Sequence, residues 1–151
     1  MTEYSSEKAK SCSECVCFNL RKATRVATQI YDNVLRPAGI RGTQFSIMAV
    51  LAIVGSETIT NLSEILVMDR TTLSRNLKPM EKASLIKISQ GKDQRTKSVS
   101  LTRKGVKTFE EAYPLWKKAQ TRIVEHLGRE RFNSFLEDLN KISSVYPEVY
   151  G

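Results

Sequence analysis

Residues 60–67 and 71–83 each carry apolar side chains at helical three- and four-residue spacings: Leu62, Ile65 and Leu66 on the first stretch, Leu73, Leu77 and Met80 on the second. Only Met68, Asp69 and Arg70 separate them, which is the length of a helix-turn-helix connection. Thr60 is the expected N-cap of the first helix and Asp69 the entry to the second. Each helix then has one face for a core and one face free. Immediately afterwards, residues 85–89 and 98–102 alternate apolar and polar in the manner of strands, around the basic, glycine-containing stretch QGKDQRTK at 90–97. A β-hairpin with a charged tip is expected there. A hairpin placed directly after the second of two short helices is a wing, so the expected class is mainly α with a small β-hairpin, a winged helix-turn-helix.

Charge falls on the same segment. The chain carries a formal +8, with a pI of about 9.5. Eleven lysines and arginines stand between Arg70 and Lys107 against only Glu81 and Asp93, so this quarter of the chain holds +9 and the rest −1. A run of charge is often no more than a solvated face, but a net excess confined to one module points to a polyanion partner.

The flanks are helical. Val16, Leu20, Ala23, Ala27, Ile30 and Val34 draw one apolar stripe along residues 16–36, which Pro37 and Gly39 then break. Thr43 is the expected cap of a largely apolar helix over 44–54, closed by Gly55. Thr102 caps a long helix over 103–127 containing Pro114, Gly128 ends it, and a last helix over 130–146 stops at Pro147. At 151 residues the chain suits one domain: dimerisation helices at 12–36 and 103–146 around a winged module at 43–102. Three long amphipathic helices exceed what so small a module can cover, which favours a homodimer over a monomer that buries both stripes itself. No apolar run approaches the ~18 residues of a membrane span, and the polar N-terminus lacks a secretory apolar segment. A cytoplasmic protein with reduced thiols is expected, with no membrane partner.

Four motifs give this order of elements a family resemblance: LRPAGI (35–40) leading into TQF (43–45), DRTTLSRNLKPMEK (69–82), DQR (93–95) and SLTRKG (100–105). Together they resemble the multiple-antibiotic-resistance regulator (MarR) family of winged-helix repressors over nearly the whole chain. The resemblance implies that the helix at 71–83 enters the major groove of double-stranded DNA, that the wing reaches the neighbouring minor groove or its phosphates, and that the terminal helices of two subunits intertwine on a palindromic operator. Side-chain chemistry agrees. Thr72, Ser74, Arg75 and Lys78 offer short hydroxyls and long cations, and Arg75 has the fork that reads guanine. Thr71 is a near-cap residue with a candidate phosphate contact. Lys92, Arg95 and Lys97 supply wing cations, and Asp93 either orients Arg95 by a charge-assisted bond or forms an exposed ion pair of little value. Pro79, inside the recognition helix, should distort its last turns. The family's ligand pocket, between the dimer helices and the winged module, makes Tyr31, Phe45 and Met48 candidate lining residues of a small, phenolic-type effector site; each also suits a core.

Cys12, Cys15 and Cys17 lie within six residues. Structural zinc wants four ligands, and the only histidine, His126, is distant, so no metal is expected. CFNLRKATR (17–25) followed by Tyr31 resembles the first helix of the family's organic-hydroperoxide-sensing branch, which implies Cys17 as the reactive thiol. Arg21 and Gly42 occupy two other positions where that branch has tyrosine. Arg21, one helical turn beyond Cys17, and the helix N-terminus both favour thiolate. The alternatives are a redox thiol, with Cys12 or Cys15 resolving it, or a small apolar interface residue. No phosphate-binding glycine loop, His-Glu-x-x-His or Gly-x-Ser-x-Gly pattern occurs, so neither an enzyme nor a cofactor is expected. A non-regulatory architectural protein remains the competing reading, since a basic segment alone predicts binding and not regulation.

Overall fold

The computed structural model describes residues 6–91 and 95–150. A short helix α1 (Ser6–Ser11) and a 3-10 turn (Cys12–Glu14) lead into α2 (Val16–Leu35). After a second 3-10 turn (Arg36–Ala38), Gly39 takes the left-handed conformation that redirects the chain, with φ of 71°. Then follow α3 (Gly42–Val54), β1 (Ser56–Thr58), α4 (Ile59–Ile65), α5 (Arg70–Lys82), β2 (Ile86–Gln90), β3 (Lys97–Leu101), α6 (Arg103–Leu127) and α7 (Arg129–Tyr150).

The sheet has three strands in the order β1-β3-β2, both pairings antiparallel. β2 and β3 are the expected hairpin, in register from Ile86↔Leu101 to Gln90↔Lys97. β1, which pairs Ser56 with Ser100 and Thr58 with Ser98, is not expected from sequence. Three residues, Ser-Glu-Thr, are too few to alternate visibly; β3 recruits them as an edge.

Helix starts differ from the sequence reading where a competing group takes the capping role. Arg41, not Thr43, precedes α3: its N–H donates to Gln44 Oε1 at 2.9 Å, and the next free amide, Gly42 N–H, donates to the Asp32 carboxylate at 2.7 Å. Thr58, not Thr60, caps α4, because the end of β1 leaves it extended with Oγ1 accepting from Asn61 N–H at 3.1 Å. Pro147 does not stop α7, which runs to Tyr150. Proline's fixed φ is itself helical, so the helix passes through at the cost of one hydrogen bond. α5 likewise continues through Pro79 to Lys82, and α6 through Pro114.

One core holds the winged module to the long helices. Leu35, Ile47, Met48, Leu62, Leu73, Leu77, Met80 and Val99 are buried with Ala112 of α6, and Phe45 stacks on Phe109 and Trp116 at ring separations of 5.1 and 5.6 Å. Ile65, expected on the core face of α4, is half exposed: the helix ends there, and the chain turns away through Val67. No single helix among the described residues is long and apolar enough to cross a membrane.

Candidate nucleic-acid interface

α5 is fixed at both ends and along one face. Leu73, Leu77 and Met80 bury its inner side. Asp69 caps its start, accepting from Thr72 N–H at 2.8 Å and from the Thr72 hydroxyl at 2.5 Å. These bonds from Thr72, the side-chain one foremost, hold the Asp69 carboxyl below the usual carboxylate range. The face that remains carries Arg70, Thr71, Ser74, Arg75 and Lys78 around a shallow concavity of about 340 Å³. Among the described residues, the side chains of Arg70, Arg75 and Lys78 make no hydrogen bond or ion pair. This is a row of uncommitted cations and hydroxyls along one helix face, suited to phosphate oxygens and base edges.

Four of the five residues expected on this helix therefore meet on one surface. Thr72 stands apart, since its hydroxyl proton is given to Asp69. Arg70, which the sequence reading does not include in the site, joins the group: 70, 74 and 78 are spaced by four, and that spacing is the signal that points to it. In the hairpin, Gly91 N–H donates to the Thr96 carbonyl at 2.8 Å and closes the strands around the tip. Lys97 is exposed at the start of β3 and Arg95 is exposed in the turn before it. Lys92 and Asp93 lie outside the described residues.

Residues 43–119 match the family model described as a winged helix DNA-binding domain. The transcriptional regulator MosR of M. tuberculosis, solved in complex with DNA, is 34% identical, with a TM-score of 0.78 over 87% of this chain and 98% of that one. The chain belongs to the MarR family of winged helix-turn-helix transcriptional regulators. A mutant MarR of E. coli, complexed with operator DNA, has the same fold at 18% identity, with a TM-score of 0.78 over 87% of this chain and 96% of that one. The uncharacterized HTH-type transcriptional regulator YwaE of Bacillus subtilis (strain 168) is 27% identical over 124 residues, 82% of this chain and 72% of that protein. MosR and YwaE are both transcriptional regulators.

Two other features lie away from α5. A cleft of about 400 Å³ opens between α2, α3 and α6, walled by Tyr31, Phe45, Met68 and Trp116 among others. The Tyr31 hydroxyl donates to Gln120 Oε1, and burial raises the phenol's pKa. Of the three residues expected to line a ligand site, Tyr31 and Phe45 are on this wall; Met48 is fully buried in the core behind it. A larger apolar groove of about 1060 Å³ runs between α2 and α6, lined by Ala23, Val26, Ile30, Val34, Ile123 and Leu127. His126 sits at its edge. All three cysteines are free and exposed: Cys12 in the 3-10 turn, Cys15 at the N-cap of α2 and Cys17 in its first turn.

Proposed function

We propose that the protein is a cytoplasmic, homodimeric repressor that binds a palindromic operator through the α5 face and the hairpin, and is released by a small phenolic-type ligand or by thiol oxidation. The α2–α6 groove carries this reading. Val26 is 55% exposed and Ile30 38% exposed within it, and Phe135, Leu136 and Ile142 of α7 are each more than 40% exposed. Apolar surface on this scale marks an interface, and a second copy of the chain brings the same surface in two-fold symmetry. Such a dimer sets two recognition helices on half-sites about one DNA turn, or ~34 Å, apart. Regulation follows if a signal alters that spacing. The aromatic wall of Phe45 and Trp116 with the Tyr31 hydroxyl suits a phenolic ring, and Trp116, the only tryptophan, would report its arrival by fluorescence.

Sedimentation and footprinting test this together. The expected result is a particle of twice the 17.1 kDa chain mass and symmetric protection of a short palindrome. Sequence-independent coating would support the architectural reading instead. The exposed thiols favour the oxidative signal as a second input. A Cys17 thiolate attacks a hydroperoxide oxygen, releasing the alcohol and leaving a sulfenic acid; Cys12 or Cys15 then condenses with it, forming a disulfide and water. Operator release by hydroperoxide from wild type but not from Cys17→Ser is the expected outcome, and equal release from both removes Cys17 as sensor.

A further inference from the structure

Lys104 belongs by sequence to the cationic segment, but its ammonium is already committed. It donates to the Ala83 carbonyl at 2.8 Å, just beyond the C-terminus of α5. Beside it, the Thr102 hydroxyl donates to the Ser84 carbonyl at 2.6 Å and Thr102 N–H donates to the Leu85 carbonyl at 3.1 Å. Three successive carbonyls just after α5 are thus held by Thr102, the N-cap of α6, and by Lys104 in its first turn. The same Thr102 oxygen accepts from Gly105 N–H at 2.9 Å and so starts α6. Gly105 has no side chain because the Leu85 carbonyl oxygen occupies the space its Cβ would need.

This clasp falls where α5 needs it. Pro79 has no N–H to offer the Arg75 carbonyl, so the last turn of α5 lacks one internal bond. Ser84, at φ 57°, then reverses the chain, with Ser84 N–H on the Glu81 carbonyl at 2.8 Å and Leu85 N–H on Met80 at 2.9 Å. The cation of Lys104 complements the negative end of the helix dipole there. Twenty residues further on, the same unbroken α6 lines the groove with Ile123 and Leu127.

We propose that Lys104 is a positioning residue for DNA recognition: from the first turn of α6 it holds the C-terminus of α5, so that the reading face and the groove helix turn as one lever. This rests on the reading of α5 as the sequence-reading helix. Lys104 acts through α5 and not through a phosphate.

The test uses the full chain, a duplex selected by the wild type from random DNA, and a scrambled duplex, each titrated at several salt concentrations. Lys104→Met is expected to weaken binding to the selected duplex about fivefold to tenfold, the effect of losing one solvent-exposed hydrogen bond. Binding to scrambled DNA changes less than twofold, the slope of log K against log salt is unchanged, and Lys104→Arg restores the wild-type ratio. Lys78→Met is the contrast, lowering the salt slope by ~0.9 for each phosphate that Lys78 neutralises. Equal weakening on both duplexes with a reduced slope would make Lys104 a phosphate ligand and overturn the proposal. A lowered melting temperature with the selected-to-scrambled ratio intact would reduce it to a stabilising cap, and unchanged binding would equally refute it. A wild type that does not distinguish the two duplexes defeats the reading of α5 itself, a failure visible before any variant is made.

Discussion

Replacing Val67 with glycine should stabilise the protein. Val67 follows the C-cap of α4 at φ 50°, where a left-handed residue lets Val67 N–H reach the Glu64 carbonyl at 3.1 Å and Met68 N–H reach Ser63 at 2.8 Å. That conformation costs an L-residue about 1–2 kcal/mol, and a β-branched side chain is among the worst fitted to it. Val67 is 79% exposed, so little burial is lost on truncation. Glycine removes the steric cost but is more disordered when unfolded, which returns about 0.5–1 kcal/mol. The net gain is about 0.5–1 kcal/mol, or ~1–4 °C in melting temperature for a chain of this size. Circular dichroism melts at one fixed protein concentration measure it, since the stability of any oligomer depends on concentration. Val67→Ala keeps the Cβ clash and should recover less. A Val67→Gly protein that melts at or below the wild-type temperature would refute the strain argument.

Three further outcomes are expected. Asp69 has a depressed folded pKa, so the stability it contributes is present above the ordinary carboxylate pKa and is lost as pH falls through the folded value; Asp69→Asn should flatten that part of the acid-unfolding curve while keeping the cap. Lys97→Ala should weaken selected and random DNA alike and reduce the salt slope by ~0.9, read by titration at several ionic strengths. Ile30→Glu buries a charge in the α2–α6 groove if a second subunit covers it, and should shift sedimentation toward monomer; an unchanged dimer would place the interface elsewhere.

What could be read from the sequence follows from how local each signal is. The stripe from Val16 to Val34, the α4–α5 pair and the Thr102 cap are set by residues within a few positions of one another, and their helices form within about two residues of the expected bounds. The features that escaped depend on distant partners. β1 exists because β3 offers it an edge, and Thr43 loses the cap to a start fixed by Asp32, ten residues before Gly42. Helical spacing groups Thr71, Ser74, Arg75 and Lys78, and they share one surface of α5. Thr72 is not among the residues around the α5 concavity and gives its hydroxyl proton to Asp69, and Lys104 is taken out of the free cationic set because the turn after α5 brings the Ala83 carbonyl to it. Charge counting locates a basic module but cannot say which cations are already spoken for.

On the proposed function, the α5 face reads base sequence through Arg75. Affinities of wild type and Arg75→Ala for a wild-type-selected duplex and for random DNA, at one salt concentration, test it most directly. Arg75→Ala should lose ~1–3 kcal/mol of discrimination between the two, the loss falling on the selected duplex. An equal loss on both would mean that Arg75 only neutralises phosphate and that α5 does not read sequence through it.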